Sequence, residues 1–105
     1  MFTDFNKVTA KEIIPGFSAR FIHTESNTLS LVEVDEGAFL PSHSHVHEQV
    51  SHILEGEFEL TVNGITKICK KGDIATIRSN EEHSGRAWTY CKILDIFTPV
   101  REDYK

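Results

Sequence analysis

Glu57-Phe-Glu-Leu-Thr-Val62, then Asn63-Gly64, then Ile65-Thr-Lys-Ile-Cys69 reads as strand, turn and returning strand. Phe58, Leu60 and Val62 alternate with polar residues, the period of two that puts one side of a strand against a core. Asn-Gly supplies the two positive-φ residues that a type I′ hairpin turn demands. The same pattern extends outward from this hairpin. Upstream, Leu29 to Val34 is a strand closing at Asp35-Glu-Gly37, and Ala38 to His45 is another, with Pro41 marking an edge or an irregular start. Further strands are expected at Gln49 to Leu54, Asp73 to Ile77 after a turn at Gly72-Asp73, and Tyr90 to Phe97. From about residue 17 onward no long helical period appears, so the chain is expected to be all-β. Many short antiparallel strands without crossover helices imply a sandwich or a closed barrel, which hide strand edges. Residues 1–16 say less: Val8 to Ile14 suits either one helical turn or an added edge strand, ended by Pro15-Gly16.

The 105 residues fit one domain, with neither linker nor repeat. Sixteen acidic against eleven basic residues leave a net charge of −5, which offers no basic patch for nucleic acid or an anionic membrane. No apolar run exceeds three residues, so neither a membrane span nor a secretory signal is expected, and a cytoplasmic location is the default. Cys69 and Cys91 lie far apart inside strand-like runs and read as buried free thiols.

Chemistry concentrates in Pro41-Ser-His-Ser-His-Val-His-Glu-Gln-Val50, where His43, His45 and Gln49 stand at i, i+2 and i+6. Imidazoles two apart on an extended strand share a face. A lone histidine is more often a surface residue than a ligand, but this cluster joined to His83, in a second polar loop, asks for a metal. Three imidazoles and the Gln49 carbonyl would leave one or two coordination positions open for water or substrate. Gln in place of Glu leaves the full charge on the ion, which favours Lewis-acid work over high-valent iron chemistry. Zinc, nickel, iron, cobalt and manganese all suit these donors. His47 shares the parity of His45 but falls in the expected turn, where it is an exposed residue or an alternate ligand. His52 has the opposite parity and should face away, and His23 lies outside the cluster.

These residues also carry a family resemblance. Gly37, His43, His45, Gln49 and Gly56, spaced by five, one, three and six residues, resemble the first motif of the cupin superfamily, in which Glu is usual at position 49. Gly72, Arg78, Asn80 and His83, spaced by five, one and two, resemble the second, with Arg78 in place of Pro, Asn80 in place of Gly and Ala87 in place of a final Asn. The resemblance implies a double-stranded β-helix, the jelly-roll barrel. Asn80 can adopt the left-handed turn that Gly would have supplied.

The closing run leaves two readings of its own. If Ile93 faces the interior then Asp95 and Phe97 do too, placing an acid near the metal; in the opposite parity Leu94 and Ile96 face the core. Leu94-Asp95-Ile96-Phe97-Thr98-Pro99-Val100-Arg101-Glu102-Asp103 resembles the end of the KdgF family of pectin-degradation cupins, which linearise 4,5-unsaturated uronates. That resemblance implies that Asp95, Phe97 and Arg101 are catalytic residues beside the metal. Asp95 would protonate the sugar at C4, Phe97 would form an apolar wall, and Arg101 would hold a carboxylate through a bidentate fork. Arg101 has a plainer reading as the surface partner of Glu102 or Asp103. Ser51, two beyond Gln49, has the inward parity for a substrate contact. The expected partner is a small sugar acid. A non-catalytic metabolite sensor is the main rival, and an oxygenase a weaker one. Strand 90–97 is apolar on both faces, which suggests a homodimer.

Overall fold

The computed structural model describes residues 1–105 and turns nearly every alternating run into a strand. After a 3₁₀ turn at Phe5–Lys7 come β1 (Lys11–Ile14), β2 (Phe17–His23), β3 (Thr28–Val34), β4 (Phe39–His43) and β5 (Glu48–Glu55). Then follow β6 (Phe58–Val62), β7 (Ile65–Cys69), β8 (Ile74–Ile77), β9 (His83–Ala87), β10 (Cys91–Thr98) and a last 3₁₀ turn, Glu102–Tyr104. Six strands in the order β1-β2-β3-β10-β5-β8 face four in the order β4-β9-β6-β7, and each pairing is antiparallel.

The hairpin forms as its sequence demands, with Asn63 at φ 49° and Gly64 at φ 80°. Asn80 takes φ 64°, the left-handed turn expected of it. Gly56 is constrained twice: its φ is 87°, and a Cβ there would collide with the Tyr90 carbonyl. In Val8 to Ile14 the edge-strand alternative is the one found, as β1 on the sheet edge, while the 3₁₀ turn lies just before that stretch at Phe5–Lys7.

Two expectations are corrected. The strand read as Ala38 to His45 ends at His43, its register against β9 broken between Leu40 and His43, so His45 stands just past the strand. His83 opens β9, central in the smaller sheet, where the sequence suggested a loop. His-Ser-Gly-Arg-Ala carries no β-branched or aromatic residue, and it is strand only because β4 and β6 bond it on both sides.

Phe17, Val32, Ile53, Phe58 and Ile93 anchor a buried cluster between the sheets, with the Phe17 and Phe58 rings edge to face at 6.4 Å. Cys69 and Cys91 are buried and free. The parity of β10 is resolved: Ile93 and Phe97 are buried inward, while Leu94 and Ile96 lie on the outer face. No helix is long and apolar enough to cross a membrane.

Candidate metal centre

The two sheets enclose a cavity of about 80 Å³. Its polar lining consists of Ser30, His43, His45, Gln49, Ser51, His83, Asp95, Arg101 and Tyr104, on an apolar floor shared with the core. β4 and β9 bring His43 opposite His83 in register, and the chain beyond β4 swings His45 in beside them. Ring centroids stand 4.2 Å apart for His43 and His83, and 5.0 Å for His45 and His83. One ring nitrogen from each of the three lies within 4.8 Å of the others.

Backbone carbonyls decide which nitrogen that is. His43 Nδ1 lies 3.1 Å from the Pro41 carbonyl, His45 Nδ1 2.9 Å from that of His47, and His83 Nδ1 2.9 Å from that of Glu81. A carbonyl can only accept, so each Nδ1 carries the proton and each Nε2 presents a lone pair. The Nε2 of His83 is buried without a hydrogen-bond partner.

Gln49, inward on β5, extends the set. Its Nε2 donates to Ser51 Oγ at 2.9 Å, and the Ser51 hydroxyl donates to Asp95 Oδ1 at 2.6 Å. Gln49 Oε1 therefore points the other way, to 3.0 Å from His45 Nε2. Two acceptors facing each other at that distance repel unless a cation lies within reach of both. Burial, followed by the Arg101 charge, lowers the His45 pKa, and burial takes His83 down to about 4, so a proton is a poor candidate. A divalent metal ion fits the repelling pair and the orphaned His83 nitrogen together.

The remaining expected residues converge on the same cavity. β10 pairs Asp95 with Ser30 of β3 on one side and Ser51 of β5 on the other. Burial pushes the Asp95 carboxyl up to about 6, opposed by the hydrogen bonds from Ser51 and Gln49 and by Arg101. The Phe97 ring stands 5.7 Å from that of His45. Arg101 joins its two readings: it is 7% exposed and lines the cavity, yet it donates from Nε at 3.0 Å and Nη2 at 2.8 Å to Asp103. One edge of the fork expected for substrate is thus taken within the chain. The Ser51 hydroxyl likewise already serves Gln49 and Asp95.

His47 lies in the bend before β5, its ring 5.7 Å from that of His45 and its Nδ1 buried without a partner. His52 pairs with Leu94 and Ile74 on the outer face, away from the cavity. Sequence reading missed Ser30 and Tyr104, and named Asp103 only as a surface partner of Arg101. Inward parity opposite Asp95 was the available signal for Ser30, while Tyr104 had none beyond its nearness to Arg101.

Comparisons with known proteins agree with this architecture. A family model described as "Cupin domain" matches residues 30–97. The pectin degradation protein KdgF of Dickeya dadantii (strain 3937) is 34% identical over 98 residues, 90% of this chain and 88% of that protein. The structure of KdgF from a Halomonas species superposes with a TM-score of 0.93 at 24% identity, covering 100% of this chain and 98% of that one. An RmlC-like cupin from Shewanella frigidimarina NCIMB 400 also gives 0.93, at 28% identity over 99% and 95% of the two chains. With His43 and His83 of the two motifs opposite each other on the paired strands β4 and β9, and a KdgF relative matched over nearly its whole length, this chain belongs to the cupin family, among its KdgF-like members.

Proposed function

We propose that this cupin is a metal-dependent enzyme that converts a 4,5-unsaturated uronate, or a similar small sugar acid, to its linear keto form. The observation that carries this reading is Asp95: a carboxyl with its pKa raised to about 6, inside a cavity that also holds three imidazoles and a guanidinium. A group poised near neutral pH can both give and recover a proton. The pectin-degradation relative supplies the substrate class.

His43, His45, His83 and Gln49 would hold the metal, which when bound would act as a Lewis acid on an oxygen. Arg101 would bind the substrate carboxylate, and Phe97 would face the sugar ring and exclude water from one side. Asp95 would deliver its proton to C4 of the enol ether as water adds at C5, the proton released by that water returning to the aspartate. The resulting hemiketal opens to the keto acid. Ser51 would keep Asp95 Oδ1 engaged, leaving Oδ2 for the proton transfer.

Mixing the metal-loaded chain with an unsaturated uronate should accelerate loss of its ultraviolet enol-ether absorbance. Asp95→Asn and Arg101→Ala should each slow this by at least a hundredfold while metal analysis finds the ion retained. Wild-type rates in both variants would overturn the mechanism. Saturable binding without turnover would replace it with a sensing role, and oxygen uptake by an iron-loaded sample would replace it with oxygenase chemistry.

We also propose a homodimer formed through the outer face of the larger sheet. Register places Ile22, Leu29, Ile96 and Val50 in one row across four strands, with Leu31 and Leu94 beside them. An apolar strip of this kind on an open sheet face is typical of an interface. Sedimentation should give a dimer, and Leu94→Glu a monomer; a monomeric wild type at all concentrations would refute it.

A further inference from the structure

The chain beyond β10 does more than end the molecule. The Arg101 backbone N–H donates at 2.8 Å to Oγ1 of fully buried Thr28, which pins the start of the turn to β3. Tyr104 at the far end stacks on Phe21 of β2, ring centroids 4.5 Å apart. Between these anchors the Arg101 guanidinium carbon lies 4.1 Å from the Tyr104 ring centroid and 4.7 Å from that of Phe97. Both distances are within the range of cation–π attraction. Asp103 then takes the Nε and Nη2 hydrogens on one edge. Tyr104 lines the cavity together with Arg101, whereas the Asp103 side chain is 55% exposed.

A free arginine carries two bidentate edges and several rotamers. Here one edge is spent, two aromatic rings limit the tilt of the plane, and the hydrogen bonds leave Nη1 and the second Nη2 hydrogen for a ligand. We propose that Asp103 and Tyr104 are positioning residues that preset Arg101 to recognise a substrate carboxylate through its Nη1–Nη2 edge, and so set the preference for a sugar acid over a neutral sugar. Preorganisation of this kind lowers the ordering cost at the moment of binding. The Asp103 charge also offsets that of Arg101, so the carboxylate is held by directed hydrogen bonds more than by net charge, which suits a product that has to leave.

This inference rests on the sugar-acid reading of the site, but it is tested without turnover. Galacturonate and galactose, stable saturated probes, are titrated into the metal-loaded chain and followed by NMR. Wild type should bind galacturonate at least tenfold more tightly than galactose. Asp103→Ala and Tyr104→Ala should each reduce that ratio at least fivefold with galactose affinity unchanged, and Tyr104→Phe should restore it because the ring is kept. If Tyr104→Ala fails to fold, the exposed Asp103 still decides the matter.

An unchanged ratio in Asp103→Ala would overturn the proposal. A larger ratio would also overturn it, since Asp103 would then compete with substrate for the fork. Failure of the hydration mechanism has a different signature: galacturonate preference with the expected variant pattern, but no loss of enol-ether absorbance. Turnover with an unchanged binding ratio in the Asp103 variant would retain the mechanism and reject the positioning role.

Discussion

Asp95 is held in two ways that oppose each other, and its pH behaviour follows from which one dominates. Ser51 donates to its Oδ1 and favours the carboxylate, but burial outweighs this and raises the pKa from 3.8 to about 6. Because the folded-state value lies above the unfolded one, the associated stability is complete below about pH 4 and is lost as pH rises through 6. Asp95→Asn, neutral at every pH, should therefore melt near wild type at pH 4 and above it at pH 8 in chelator, by roughly 1–3 kcal/mol. Equal melting temperatures at pH 8 would show that the carboxylate carries no burial cost. His83 runs the other way. Its pKa is lowered to about 4, so its stability is complete above pH 6.5 and is lost as pH falls through 4. In chelator, His83→Gln should flatten the acid limb of the pH–stability curve, and an unaltered limb would assign that limb to other groups. At this scale the sequence was legible where spacing carries information: His43, His45 and Gln49 were grouped by their spacing, His83 was joined to them from a second polar stretch, and the three imidazoles do converge. Asp103 was legible only as a surface partner for Arg101, because nothing local says that the arginine beside it is buried.

Among the elements, the β6–β7 hairpin could be read because alternation and the Asn-Gly turn agree with its tertiary setting. β9 could not, since its five residues carry no strand preference of their own and its two neighbours supply the reason to be strand. Gly85 makes that strand's packing specific. A Cβ built there would collide with the Phe58 ring and meets the Glu59 carbonyl at 3.1 Å, so the ring occupies space that any other residue would fill. Gly85→Ala should then displace either Phe58 from the core or β9 from β6, at a cost of about 1–3 kcal/mol. His83 lies two residues away on the same strand. A shift of β9 would weaken metal binding as well, whereas a shift of Phe58 alone would not. Denaturation midpoint and metal affinity measured on the same variant separate these outcomes, and wild-type values for both would show that the contact relaxes freely.

For the whole molecule, the proposed ligand set spans both sheets: His43 and His83 come from the smaller sheet, Gln49 from the larger, and His45 from the connection between them. Two-sheet closure was legible from strand count and turn spacing, but which of the candidate ligands meet across the sheets depends on register, which the sequence does not display. An ion that binds only the closed barrel stabilises it by mass action, about 4 kcal/mol at a thousand times its dissociation constant. For a chain of this size each kcal/mol shifts the melting temperature by roughly 4–8 °C. Saturating zinc or nickel after chelation should therefore raise the melting temperature by at least about 10 °C. His83→Ala should lose most of that shift, since it removes the buried nitrogen that has no other partner. Asp95→Asn should keep it, because the carboxyl reaches the ligand set only through Ser51 and Gln49. Equal shifts in wild type and His83→Ala would mean that the stabilising ion binds elsewhere, and loss of the shift in Asp95→Asn would make the aspartate part of the metal site itself.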